Sequence, residues 1–95
     1  MYVHVVSFKI KEGEEPTFVE IQKFEESTQG KPAGLDHFHI FKDRNDAHRY
    51  FLVEYWENKS SKDALEKTEE HKQFHNLRDI AIERKYESYD CDVIV

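Results

Sequence analysis

The chain has 95 residues, a net charge of -6 and 38% hydrophobic residues. A chain of this length fits one domain, 1–95, because chains usually divide into domains only beyond about 250 residues. Its 20 acidic and 14 basic side chains repel a phosphate backbone, so nucleic acid is not an expected partner.

The apolar stretches are only a few residues long, far short of the ~20 residues that cross a bilayer. The N-terminus lacks the basic and apolar regions of a secretory signal. The single cysteine, Cys91, cannot form an internal disulfide, which fits a reducing compartment. We therefore expect a cytoplasmic protein with no membrane partner.

The first predicted elements are a strand and a helix. Tyr2–Ile10 alternates, which places Tyr2, His4, Val6, Phe8 and Ile10 on one face of a strand. Pro16 suits the first turn of a helix, and Gly30 suits its end. Apolar residues at helical spacing predict the buried stripe of this helix: Phe18, Ile21 and Phe24, with Glu25 beside them.

Two strands are predicted next, over Leu35–Lys42 and Arg49–Trp56. In the first of them, alternation places Leu35, His37, His39 and Phe41 on one side and Phe38 and Ile40 on the other. The second is apolar on both faces, with Phe51, Val53 and Tyr55 opposed to Tyr50, Leu52 and Trp56. Both faces of this strand must therefore be covered.

The last third of the chain predicts two short helices and a strand. Asn58 or Ser60 can cap the first helix, and a second helix starts near Glu69 with the stripe Phe74, Leu77, Ile80 and Ala81. Tyr86–Val95 predicts a fourth strand, at an edge because one of its faces is polar.

The order β, α, β, β, α(α), β predicts an α+β, ferredoxin-like βαββαβ fold with a four-stranded antiparallel sheet and one helical layer. One layer of helices covers only one face of the sheet. The first and third strands are also apolar on the other face, which would leave a large exposed apolar patch. We therefore expect a homodimer that packs through its sheet faces.

Six histidines make a metal site conceivable, because His71 and His75 share a helical face and His37 and His39 share a strand face. No cysteine lies near them, and Lys72 stands where an HExxH site needs glutamate. Histidines without such partners are more often ordinary polar residues, so no metal site is expected.

Trp56 ends a strand next to the helix pair, where it can form the wall of a cavity or simply fill the core. No serine lies in a GxSxG setting, and Cys91 lies within a strand, so nucleophilic catalysis has little support. Without a GxGxxG or Walker sequence there is no recognisable nucleotide cradle, so we expect chemistry without a bound cofactor.

Two segments, YVHVVSFKIKEG and RYFLVEYWENKSSKDALEKTEEHKQF, resemble the antibiotic biosynthesis monooxygenase family. The most specific part of the resemblance is Glu54-Tyr55-Trp56, followed by Ala64-Leu65 and by His71 near Phe74. The resemblance implies a homodimeric α/β barrel of ferredoxin-like protomers, each with a cavity between sheet and helices. The family includes cofactor-independent oxygenases of quinones and quinols, haem-degrading enzymes and an isomerase, and fold alone does not choose among them.

The chain departs from the pattern of the haem-degrading relatives. Val6 stands where those relatives carry asparagine, and Leu65 or Thr68 stands where they carry tryptophan. Haem degradation is therefore not expected. Thr68 also replaces a histidine that is found in many relatives.

The leading hypothesis is a cofactor-independent monooxygenase that acts on a small aromatic phenol or quinol. His71 or His4 would take the phenolic proton, Trp56 and Tyr55 would hold the ring, and His39 is a further donor. The alternative is a non-catalytic barrel that binds a small ligand or serves in a stress response. A metal-dependent histidine site is a third possibility.

Overall fold

The computed structural model describes the backbone of residues 1–95 and every side chain except that of Tyr86. Seven elements follow one another: β1 (Tyr2–Ile10), α1 (Glu15–Gln29), β2 (Leu35–Lys42), β3 (Arg49–Trp56), α2 (Lys59–Glu66), α3 (Glu69–Arg78) and β4 (Ile82–Asp92). The predicted ferredoxin-like α+β fold is confirmed.

The four strands form one sheet in the order β2-β3-β1-β4, and every neighbouring pair is antiparallel. β4 therefore lies at an edge, as predicted, while β1 and β3 are central. The shortest dimension of the molecule is 19 Å, which fits one sheet and one layer of helices of about 10 Å diameter.

The core lies between the sheet and the helices, and it has two parts. The larger cluster contains Phe8, Ile10, Phe18, Tyr50, Leu52, Ala81 and Ile82. The smaller one contains Tyr2, Leu35 and Trp56. On β1, His4 and Val6 lie between Tyr2 and Phe8 on this face. Val6 packs against the larger cluster, so His4 is the side chain of β1 that separates the two.

The buried face of α1 differs from the predicted stripe. Phe18 is 2% exposed and anchors the helix, whereas Phe24 is 61% exposed. At 3.6 residues per turn, Phe24 lies about 240° around the helix from Phe18. Gln22 and Glu25 take the sheet-facing positions instead.

Replacing Phe18 by alanine is expected to lower the free energy of unfolding by about 3–5 kcal/mol, because a buried aromatic ring is lost and a cavity remains. Phe24→Ala, on the same helix, is the matched control and should change it by no more than about 0.5 kcal/mol. Urea unfolding followed by circular dichroism measures both. Equal losses would show that Phe24 is covered in solution.

The prediction that Leu35 shares a face with His37 is wrong. The pairing of β2 with β3 shifts between Leu35 and His37, so alternation is interrupted by an extra residue, Asp36. Leu35 consequently packs with Trp56 on the helical side. His37, His39 and Phe41 lie opposite Tyr55, Val53 and Phe51 on the other face.

The segment after α3 also differs from the prediction. The helix ends at Arg78, and Ile80 is exposed rather than part of a buried stripe. β4 then begins at Ile82 instead of Tyr86 and ends at Asp92 instead of Val95. Residues 83–85 carry no apolar alternation, so they become a strand because they pair with β1.

The loop before β2 packs tightly against the start of α2. Gly34 has φ +85°, and a Cβ built on it would lie 2.5 Å from Cβ of Ser61. The same first turn is held by Asn58, whose side chain accepts a hydrogen bond from the Ser61 backbone N–H at 2.9 Å. Only glycine combines this backbone conformation with this close approach.

The face of the sheet away from the helices, which we call the open face, carries apolar side chains. Val5 of β1 lies between Val53 of β3 and Tyr89 of β4. Phe41 and Tyr89 are each 49% exposed. This surface is unusual for a face in water, because exposed apolar residues are normally scattered singly.

Candidate functional site

A cavity of about 400 Å³ lies between the sheet and the helices. Its apolar wall is formed by Val6, Phe38, Leu52, Trp56, Leu65 and Phe74. The volume lies in the range of about 300–1,000 Å³ that is usual for small-molecule sites. The cavity is therefore large enough to hold a small molecule.

The structure brings three of the predicted site residues together. His4, Trp56 and His71 all line the cavity. Tyr55 and His39 do not, because alternation along β3 and β2 directs them to the open face. There the Tyr55 ring stacks on His37, with 4.2 Å between ring centroids.

A row of hydrogen bonds runs along one face of α3. Nη2 of Arg78 lies 3.2 Å from Nδ1 of His75, and Nε2 of His75 lies 2.7 Å from Nε2 of His71. The residues are spaced by three and four positions, which places them on neighbouring turns of the helix. All three line the cavity.

The cavity keeps its imidazoles neutral. Burial, followed by the charge of Arg78, lowers the pKa of His75 to about 3. The same two causes lower the pKa of His71 below its usual value. Burial and the nearby ammonium group of Lys62 lower the pKa of His4. At neutral pH the three rings therefore carry no charge.

His4 is linked through Tyr2 to Asp90 on the neighbouring strand β4. The Tyr2 hydroxyl donates to Oδ1 of Asp90 at 2.5 Å, and Nδ1 of His4 lies 3.4 Å from the same hydroxyl oxygen. Because the single hydroxyl proton is used on Asp90, the oxygen can only accept from Nδ1–H of His4. Nε2 of a neutral His4 then carries a lone pair, as a proton acceptor requires.

The cavity also contains buried charge. Arg78 is 6% exposed, and its Nε has no hydrogen-bond partner among the described residues. Burial raises the pKa of Glu54, an effect that the Trp56 indole and Arg78 oppose. By geometry, however, the indole N–H of Trp56 has no hydrogen-bond partner among the described residues.

Glu25 of α1 also lines the cavity. Burial raises the pKa of its carboxyl group to about 7, while Arg78 acts in the opposite direction. Near neutral pH the Glu25 carboxyl group therefore populates both its neutral and its charged form.

Glu25→Gln is expected to stabilise the protein more at high pH than at low pH. The stability contributed by the neutral carboxyl is fully present below its ordinary pKa of 4.5 and is lost as the pH rises through about 7. The advantage of the variant should therefore grow between these two pH values. Urea unfolding as a function of pH measures it, with Glu20→Gln on the exposed side of α1 as the control. A pH-independent effect would contradict a buried carboxyl at position 25.

Two of the charged groups in this site, Arg78 and Glu25, had no role in the sequence-based hypothesis. Arg78 follows His75 by three positions and Phe74 by four, and this spacing is the signal that places it on their face. Glu25 follows Phe18 by seven positions, which is two helical turns. Arg78 could therefore have been found by extending the stripe of α3, and Glu25, which was already placed beside the α1 stripe, could have been assigned to the site.

Among the side chains that the structure describes, no group of three or more His, Cys, Asp or Glu residues is arranged to hold a metal ion. Within the same part of the chain, no helix is long and apolar enough to cross a membrane.

The fold and the cavity define a small α+β protein with one sheet, one helical layer and a cavity between them. The sequence pattern described as antibiotic biosynthesis monooxygenase matches residues 1–77. The chain therefore belongs to the antibiotic biosynthesis monooxygenase family.

Solved structures have the same fold. An antibiotic biosynthesis monooxygenase shares 14% identity over 100% of both chains, with a TM-score of 0.81. A candidate antibiotic biosynthesis monooxygenase from Nitrosomonas europaea shares 17% over 100% of both chains, with a TM-score of 0.82. A conserved protein from Methanosarcina mazei Go1 shares 14% identity, with a TM-score of 0.82, over 95% of this chain and 89% of the other. No curated protein sequence matches the chain.

Proposed function

We propose that this protein is a cofactor-independent monooxygenase that oxidises a small aromatic phenol or quinol, and that it works as a cytoplasmic homodimer. The observation that carries the proposal is the cavity of about 400 Å³, which combines apolar walls with neutral imidazoles in a chain of this family. Such a site can bind a flat ring and remove a proton from it.

His4 is the proposed base. Its Nε2 holds a lone pair because Nδ1 is engaged with Tyr2, and Tyr2 is in turn fixed by Asp90. When Nε2 takes a proton, the carboxylate of Asp90 stabilises the resulting positive charge through the Tyr2 hydroxyl. Because burial lowers the pKa of His4, its ring is unprotonated at neutral pH and can accept the proton.

The substrate supplies the electrons. Deprotonation by His4 gives a phenolate, which donates electrons to O₂, and a C–O bond forms at a ring carbon that still bears hydrogen. His4 returns its proton to the terminal peroxide oxygen. Loss of the ring C–H proton and cleavage of the O–O bond then release water, so a phenol and O₂ give a quinone and H₂O without another reductant.

Trp56 and Phe74 are the proposed contacts for the aromatic ring of the substrate. Trp56 is fully buried at one side of the cavity, and Phe74 lies on the α3 side. Aromatic pairs prefer offset or edge-to-face geometry, so two walls of this kind orient a flat ring. Tyr55 and His39 have no proposed role in binding, because they lie on the open face.

The homodimer is proposed from the open face. Val5 and Val53 lie opposite one another on the two central strands, and Phe41 and Tyr89 are half exposed beside them. Two copies that pack these faces together would bury the apolar patch on both. The cavity lies on the other side of each sheet, so each protomer keeps a site of its own.

The direct test is oxygen consumption with a panel of phenols and quinols under ¹⁸O₂. One labelled oxygen in the quinone and one in water, at rates above the uncatalysed reaction, is the expected result. Binding of the panel without oxygen uptake would favour the alternative of a non-catalytic ligand-binding protein. The absence of both binding and uptake would contradict the proposal altogether.

A further inference from the structure

The hydrogen bonds along α3 run in one direction, from donor to acceptor, starting at Arg78. A guanidinium group carries only hydrogen-bond donors, so Nη2 of Arg78 donates and Nδ1 of His75 accepts at 3.2 Å. A neutral imidazole has one proton, and in His75 it must then be on Nε2.

The same reasoning extends to the next ring. Nε2–H of His75 donates to Nε2 of His71 at 2.7 Å. Nε2 of His71 is therefore an acceptor, and the proton of His71 lies on Nδ1. Arg78 thus sets the position of a proton on a side chain two hydrogen bonds away.

The end of this row is an unpaired donor. Nδ1 of His71 is buried and has no hydrogen-bond partner among the described residues, and the ring lines the cavity. Most buried polar groups in proteins have a partner. Nδ1 has almost no exposed surface in the unliganded protein, so an acceptor on a molecule in the cavity would satisfy this donor once the His71 ring turns to expose it.

We propose that Arg78 and His75 are positioning residues that hold His71 in its Nδ1–H form, so that the cavity selects aromatic ligands with a carbonyl or phenolate oxygen directed at His71. The proposal rests on the proposed function only in taking this cavity as the substrate site. His71 is then a donor that stabilises negative charge on the ligand oxygen, and His4 alone acts as the base.

The geometry around Arg78 keeps the row in place. The guanidinium lies 5.3 Å from the centroid of the Phe74 ring, within the range of a cation–π contact. No carboxylate of a described residue forms an ion pair with it. Asp79, Glu25 and Glu54 act on the guanidinium electrostatically from beyond ion-pair distance.

The tautomers can be measured without any substrate. Two-bond ¹⁵N–¹H spectra of the imidazole rings in the free protein should show His71 as Nδ1–H and His75 as Nε2–H. In Arg78→Met both rings should become mixtures of tautomers, and Arg78→Lys, which keeps a donor, should restore much of the wild-type pattern. A wild-type His71 in the Nε2–H form overturns the proposal, whether or not the variants fold.

Ligand selection is tested with a matched pair of probes, 1-tetralone and tetralin, which differ by one carbonyl oxygen. The wild-type protein is expected to bind 1-tetralone about five-fold more tightly or better, the effect of one net hydrogen bond. His71→Phe should bind the two equally. Equal binding by the wild type, or binding of neither probe, overturns the proposed selection. If oxygen uptake fails while these results hold, only the proposed monooxygenase activity is contradicted. The two proposals can therefore be told apart.

Discussion

Replacing His4 by glutamine is expected to lower kcat/KM for oxygen uptake with a quinol by about 100- to 10,000-fold, the usual contribution of a positioned general base. Glutamine retains a polar side chain beside Tyr2 but has no nitrogen that can take a proton near neutral pH. The loss should therefore lie in proton transfer rather than in folding, and the free energy of unfolding should change little by comparison.

The pH profile separates His4 from an ordinary histidine. Because burial lowers the pKa of His4 below 6.5, the base form persists at mildly acidic pH. Wild-type activity should decline only when the pH falls through this lowered pKa. His48→Gln, in the exposed turn between β2 and β3, is the control and should leave the rate and its profile unchanged. A wild-type rate in His4→Gln would assign the base to another group.

Val53→Glu is expected to convert the proposed dimer to a monomer, raising its dissociation constant at least about 100-fold. Val53 lies on a central strand and pairs with Val5 on the open face. An uncompensated charge buried at an interface costs about 3–5 kcal/mol, and the symmetric dimer would contain two. The protomer should still fold, because both core clusters lie on the opposite side of the sheet.

Sedimentation equilibrium of the wild-type protein and the variant measures this effect, with circular dichroism to verify folding. Asn45→Glu adds the same charge in an exposed turn and should remain dimeric. A wild-type chain that is monomeric at micromolar concentration would contradict the dimer, while the cavity and its chemistry would be unaffected.

The fold could be predicted from the sequence because its signals are local. Three strands have the predicted bounds, and Asn58 does cap α2. The errors arise where tertiary contacts decide the outcome. Asp36 interrupts the alternation of β2, and β4 extends back to Ile82 because β1 offers hydrogen bonds to a segment with little strand signal of its own.

The candidate site was predictable only in part. His4 and Trp56 follow from strand alternation and from the family resemblance. Tyr55 shares the strand of Trp56 but, as its direct neighbour, points to the other face. Arg78 is the larger omission, since a charged residue at the end of a helix is normally assigned to solvent, and it lies just beyond the matched residues 1–77.

The tight fit of Gly34 against Ser61 has a consequence for selectivity. Any side chain at position 34 would act as a wedge that drives the start of α2 outward. Lys62, Leu65 and Glu66 belong to that helix and would move with it, and all three line the cavity. The size of molecule that fits the cavity thus depends on the absence of a side chain at position 34, although Gly34 itself does not line the cavity.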